Sequence, residues 1–183
     1  LEKPPPFVIW FTGLPCSGKT TLATRLCSLL KSNDRKVEHL DGDIVRKVFP
    51  RTGFSQVERN RHIQQMGFLA SRLEEHGVCV LASFISPYSS SREFVRSSCK
   101  NFIEIYVATS VKECERRDVK GMYEKARKGE IVNFTGVDDA YESPESPDLI
   151  IDTEKVEVEE SLQQICEYLK SRNLLATLKE EKE

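Results

Sequence analysis

Residues Gly13-Leu14-Pro15-Cys16-Ser17-Gly18-Lys19-Thr20 set two glycines, a lysine and a hydroxyl at the spacing G-x-x-x-x-G-K-[ST], and the chemistry open to that set is to hold a polyphosphate. Gly13 and Gly18 let the backbone turn its N–H groups inward at a helix N-terminus, where the partial positive charge favours anions. Lys19 then reaches the β- and γ-phosphates, and the Thr20 hydroxyl can ligate Mg²⁺. Eight residues alone would also fit a glycine-rich turn with an incidental lysine. The apolar run Phe7 to Thr12 before them and the amphipathic stretch from Thr20 after them supply the strand and helix that make the string a nucleoside triphosphate site.

A phosphate loop serves kinases, GTPases and other ATPases, so other residues must choose the reaction. The chain has no N-K-x-D element, and its D-x-x-G match, Asp118 to Gly121, follows a helical segment instead of a strand. The apolar run Val78–Phe84 lacks the terminal Asp that organises Mg²⁺ and water in hydrolytic members. Carboxylates come instead from Leu40-Asp41-Gly42-Asp43, at the carboxyl end of the second run, where sheets of this kind bind ligands. Asp43 is the candidate general base for an acceptor hydroxyl; Asp41 is either a second functional acid or the N-cap of the helix that follows. Arg46, Arg59 and Arg61 come next with Phe54 among them. Guanidinium forks and an aromatic face suit an anionic nucleotide acceptor, although a solvated helix face accounts for Arg61 as well.

These groups need a scaffold. Phe7–Thr12, Val37–Leu40, Val78–Phe84, Phe102–Val107 and Leu149–Ile151 are short and rich in β-branched or aromatic residues, and the segments between them have helical spacing. The expectation is an α/β fold with a five-stranded parallel sheet and helices on both faces. Leu22, Leu26, Leu29 and Leu30, then Ile63, Met66, Leu69 and Leu73, then Leu162, Ile165 and Leu169 are the core-facing stripes, and Gly77 ends the second long helix. Residues of about 118–147 carry charges, glycines and prolines without such a stripe. A segment of that length predicts a mobile lid over the phosphates, a solvated insertion being the plainer alternative.

At 183 residues and 39% hydrophobic the chain suits a single domain. Its net charge of −2 gives no global positive field for nucleic acid or an anionic membrane. No apolar run approaches the ~20 residues that span a bilayer, so the expected location is the cytoplasm. Cys16, Cys27, Cys79, Cys99, Cys114 and Cys166 are dispersed without a C-x-x-C pair, which favours free thiols over zinc or disulfides; Cys16, in the phosphate loop, is the one expected to be reactive. The start Leu1-Glu2-Lys3-Pro4-Pro5-Pro6 suits a linker from a longer polypeptide.

Leu40-Asp41-Gly42-Asp43, Gly53-Phe54-Ser55, Phe84-Ile85-Ser86-Pro87-Tyr88, Arg117-Asp118-Val119-Lys120-Gly121 and Phe134-Thr135-Gly136-Val137-Asp138-Asp139 together resemble the adenylyl-sulfate kinase family, from about Val8 to Leu169. The resemblance implies a three-layer P-loop kinase fold with a mobile lid. It implies transfer of the ATP γ-phosphate to the ribose 3′-hydroxyl of adenosine 5′-phosphosulfate, with ATP and Mg²⁺ as cofactors. It places Gly13, Cys16, Ser17, Gly18, Lys19, Thr20 and Thr21 on ATP, with Arg117, Thr153 and Val156 flanking the adenine, Lys19 and Asp43 in catalysis and Thr20 on the metal. The phosphosulfate nucleotide takes Asp43, Arg46, Phe54, Arg59, His62, Ile85, Ser86, Lys120 and Phe134, with Ser86 a contact and not a nucleophile. Family members are usually dimers, some fused to ATP sulfurylase. His62 stands where many members have Asn, which predicts an added pH dependence near neutrality; Val132 replaces a frequent lysine and Ala140 a frequent proline. Two other readings stay open: a kinase for another small acceptor, and a non-catalytic nucleotide sensor, from which Lys19 or Asp43 would be expected to be lost.

Overall fold

The computed structural model describes residues 3–49 and 53–176, and β1 (Val8–Thr12) lies at its centre with every residue buried. Around it the strands run in the order β2-β3-β1-β4-β5, with β2 Val37–Asp41, β3 Cys79–Ser83, β4 Phe102–Val107 and β5 Leu149–Ile151. All neighbours are parallel, and each strand matches its apolar run to within a residue at either end. Strands covered on both faces need no polar alternation, which is why these runs are legible as continuous apolar stretches.

On one face Ile9, Phe11, Leu81, Ile103 and Ile105 pack under α1 (Lys19–Ser32) and α7 (Val158–Ser171), through Leu22, Leu26, Leu30, Ile165 and Leu169. On the other, Val8, Trp10, Val80 and Ala82 meet Ile63, Met66 and Ala70 of α3 (Gln56–Glu75) and Val95 of α4 (Ser89–Ser98). Each fully buried aliphatic side chain contributes about 1.5–3 kcal/mol. The chain passes from β3 on one side of β1 to β4 on the other. Such a reversal opens a crevice at the carboxyl ends of the strands, and the phosphate loop leaves β1 there.

The α3 stripe differs from the expected one. Ile63 and Met66 are buried, but Leu69 is 37% exposed, and the buried set continues through Gly67, Ala70 and Glu74. Helix α4 lies against this face so closely that a Cβ at Gly67 would come 2.5 Å from Val95 Cγ2. The small residues at 67 and 70 therefore mark the contact stripe, and an apolar-only count passes over them. Residues 118–147 also differ. They contain α6 (Met122–Arg127) and a small core of their own, in which Tyr123, Ala126 and Phe134 pack with Leu14 of the phosphate loop and with Cys114 of α5 (Val111–Arg117). Spread over so many polar residues, these apolar positions show no helical period. Among the described residues no helix is long and apolar enough to cross a membrane.

Candidate active site

The first half of the site is built by the turn from β1 into α1. Gly13 has φ +149°, and a Cβ there would lie 2.6 Å from the Val107 carbonyl oxygen, so only glycine lets the loop pass the end of β4. Cys16 and Gly18 are left-handed at φ 61° and 101°. The loop thus turns tightly onto the N-terminus of α1, an anion cradle by its exposed N–H groups and dipole. Lys19 is 7% exposed, and its ammonium donates to Gly13 O at 2.9 Å, Leu14 O at 2.6 Å and Ser17 Oγ at 3.2 Å. Burial lowers its pKa to about 8, because desolvation disfavours the charged form.

Asp41 is the N-cap that the sequence offered, and its carboxylate also holds the hydroxyl of the phosphate loop's Thr20. As N-cap of α2 (Gly42–Val48) its carboxylate accepts from Asp43 N at 3.0 Å and Ile44 N at 3.3 Å, and it also accepts from Thr20 Oγ1 at 2.8 Å and Ser83 Oγ at 3.0 Å. These donors hold its pKa below the ordinary carboxylate value in spite of burial. A hydroxyl and a carboxylate oxygen side by side at the phosphate loop are hard oxygen donors, the set that suits Mg²⁺; among the described residues no group of three His, Cys, Asp or Glu side chains converges on another metal position.

A cavity of about 530 Å³ joins this half to a second one. Its lining includes Cys16, Ser17, Gly18, Lys19, Thr20, Thr21 and Arg117 on the phosphate side, and Asp43, Arg46, Arg59, His62, Ile85, Ser86, Lys120 and Phe134 on the other. Gly13, Phe54, Thr153 and Val156 are not part of the lining. Thr153 stands behind the loop, its hydroxyl donating to Ser17 O at 2.9 Å and receiving Arg117 Nη1 at 2.9 Å, so it reaches the cavity through these two neighbours. Phe54 is 56% exposed and carries the Arg46 and Arg59 guanidiniums 4.8 and 5.5 Å from its ring centre. Arg61 is exposed on α3, as a solvated helix face requires.

Four residues behave in ways the sequence did not convey. Asp43 is exposed and ion-paired with Lys120 across the mouth of the cavity, so the carboxylate and a cation of the 118–147 segment neutralise each other. Arg59 is buried and donates to Phe54 O at 2.8 Å, to Thr135 Oγ1 at 3.1 Å and to Asn133 O; its fork ties the 118–147 segment to α3. Ser86 is 1% exposed at φ 41°, its Oγ accepting from Trp10 Nε1 and donating to Thr12 Oγ1, both at 3.1 Å. With no base beside it, that hydroxyl is a structural group and not a nucleophile. His62 is 2% exposed at the cavity, edge-on to Phe84, with neither ring nitrogen hydrogen-bonded. Burial and the nearby Arg46 push its pKa down to about 4. The imidazole is neutral at physiological pH, which overturns the expectation of a titration near neutrality.

Arg92 and Tyr123, outside the sequence motifs, and Tyr88, at the end of one, hold this arrangement. Arg92 of α4 donates to Glu104 Oε1 at 2.9 Å, Ser86 O at 2.7 Å and Glu142 O at 2.7 Å. Tyr88 donates to Asp139 at 2.9 Å, and Tyr123 to Pro15 O at 3.1 Å. The cysteines are free, Cys16 half-buried among them; burial raises Cys114 to about 11 and Cys99 to about 12.

The sequence profile of the adenylylsulphate kinase family matches residues 5–152. The chain belongs to the adenylylsulphate kinase family. It is 46% identical over 169 residues to a probable adenylyl-sulfate kinase of Aeropyrum pernix, covering 90% of this chain and 92% of the relative. The fold superimposes with TM-score 0.87 and 34% identity on the APS kinase of Mycobacterium tuberculosis in complex with AMPPNP and APS, over 91% of this chain and 99% of that one. A hexameric APS kinase from Thiobacillus denitrificans matches at TM-score 0.73 and 31% identity, over 95% of this chain and 30% of that much longer one. The three-layer P-loop kinase architecture expected from the sequence is the one found, and membership of the family makes the chain a kinase.

Proposed function

We propose that this kinase transfers the γ-phosphate of ATP to the ribose 3′-hydroxyl of adenosine 5′-phosphosulfate, giving ADP and 3′-phosphoadenosine 5′-phosphosulfate. The observation that carries this is the single cavity in which a phosphate loop faces a wall of arginines, aromatics and a carboxylate, Asp43. ATP lies on Gly13 and Cys16 through Thr21, its adenine beside Arg117 and the Thr153–Val156 turn, with Lys19 on the β- and γ-phosphates. Mg²⁺, when bound, offsets phosphate charge during transfer, and Thr20, held by Asp41, is the side chain that ligates it.

The acceptor takes the other wall: Arg46 and Arg59 for its anionic groups, Phe54 and Phe134 for its rings, and Ile85, Ser86, His62 and Lys120 for position. Lys120 turns from Asp43 toward phosphate as the substrates enter. That frees the Asp43 carboxylate to orient the 3′-hydroxyl and to accept its proton as the O–P bond forms and ADP leaves. The segment 118–147 closes over the reacting groups and excludes water. The same reading has the protein act as a homodimer in the cytoplasm, either alone or as part of a polypeptide that also carries ATP sulfurylase. The test is ADP release with ATP, Mg²⁺ and adenosine 5′-phosphosulfate, beside AMP as acceptor and beside Asp43→Ala. Turnover with the phosphosulfate nucleotide, little with AMP and a loss of about 10²–10⁴-fold in the variant are expected. Tight binding without ADP release would make the protein a nucleotide sensor instead.

A further inference from the structure

We propose that His39 and Ser83 are positioning residues for the Thr20–Asp41 pair, forming a hydrogen-bonded chain that fixes how the Thr20 hydroxyl faces the nucleotide's divalent cation; this rests on the reading of the cavity as a site for ATP and Mg²⁺. Asp41 ends β2, and its partner in the register with β3 is Ser83, the position where the sequence lacks a terminal Asp. The carboxylate that β3 does not supply is supplied by its neighbour strand. Asp41 is 4% exposed. Its Oδ1 is taken by the two backbone N–H groups of the helix cap, and Oδ2 accepts from both Thr20 Oγ1 at 2.8 Å and Ser83 Oγ at 3.0 Å.

The direction of each bond follows from counting protons. An ionised carboxylate only accepts, and a serine hydroxyl has one proton to give. Ser83 spends that proton on Asp41, so His39 Nε2, 2.9 Å from Ser83 Oγ, carries hydrogen and donates. The order is His39 Nε2–H to Ser83 Oγ, Ser83 O–H to Asp41 Oδ2, and Thr20 O–H to the same Oδ2. With its proton directed into Asp41, Thr20 turns its lone pairs outward to the phosphate side, where a cation ligand must present them. His39 does not line the cavity; it acts only through Ser83. The cap bonds fix one carboxylate oxygen, and the His39–Ser83 arm fixes the other.

Mn²⁺ binding, read by paramagnetic resonance in the presence of a non-hydrolysable ATP analogue, separates this role from a plain brace between strands. Ser83→Ala and His39→Leu are expected to weaken Mn²⁺ in that complex by roughly tenfold, the usual effect of removing an outer partner of a metal ligand. Binding of the same analogue in EDTA is expected to be unchanged, and Ser83→Thr, which keeps the hydroxyl, to restore Mn²⁺ affinity. Unchanged Mn²⁺ affinity in both variants would overturn the chain. Equal weakening with and without the cation would reduce it to a structural brace and also overturn it. Wild-type protein that binds the analogue but no Mn²⁺ with it would overturn the ATP and Mg²⁺ reading itself.

Discussion

Replacing Arg92 by methionine keeps most of the side-chain volume and removes every donor. Arg92 is 4% exposed and holds Glu104, the Ser86 carbonyl and the Glu142 carbonyl at once. Breaking one side of a buried ion pair costs about 3–5 kcal/mol. Glu104 keeps Arg96 Nη2 at 3.1 Å, and that second partner places the electrostatic part at the lower end of the range. Each orphaned carbonyl adds about 1–3 kcal/mol where water cannot replace the donor, but both lie near loops that relax, and such terms do not sum. A net loss of about 4 kcal/mol follows, or about 10 °C in Tm for a chain of this size. Urea unfolding followed by circular dichroism measures it. The variant also frees the Ser86 peptide, which the proposed reading sets on the acceptor side, from Arg92 and the Glu142 backbone, so KM for adenosine 5′-phosphosulfate is expected to rise more than KM for ATP. A stability loss under about 1 kcal/mol, or equal changes in the two KM values, would refute the reasoning.

Nucleotide affinity is expected to fall as pH rises through about 8, the value to which burial lowers Lys19; bound phosphate favours the ammonium, so affinity at pH 9 drops by about tenfold relative to pH 7. Titration calorimetry across that range checks it, and a flat profile would show that Lys19 does not meet the phosphates as ammonium. For His62, with its pKa depressed to about 4, the unfolded chain binds the extra proton between about 6.5 and 4. Its contribution to stability is present above about pH 6.5 and is lost as pH falls toward 4. NMR should follow its ring titrating only at the acid end, and a midpoint near 6.5 would contradict the burial. Gly67→Ala places a methyl 2.5 Å from Val95 Cγ2 and is expected to cost about 1–3 kcal/mol by overpacking; an unchanged unfolding midpoint would mean that α3 and α4 separate freely.

The phosphate loop was legible because its chemistry lies along eight consecutive residues, and the strands because burial on both faces leaves continuous apolar runs. Leu69 was assigned to the core and is 37% exposed, since periodicity does not say where along the stripe a neighbouring helix will sit. Asp43, Arg46 and Arg59, which the sequence marks as a candidate base and candidate anion binders, line one cavity. What they contact could not be read from them. Arg59 finds Thr135 and Asn133, and Asp43 finds Lys120, all in a segment remote in sequence.

Sequence by itself determined the fold class and the phosphate loop, because these depend on dihedral preference, periodicity and short-range spacing, which act between near neighbours in the chain; the family was legible only as a resemblance of motif strings. Tertiary structure decided the charge state of His62, the double duty of Asp41 and the burial of the Ser86 hydroxyl. Each of these depends on desolvation and on donors brought in from other strands: Phe84 and Arg46 around His62, Ser83 and Thr20 on Asp41, Trp10 and Thr12 on Ser86. Solvation and hydrogen bonding are properties of a place in space, and the sheet's β2-β3-β1 order is what creates those places.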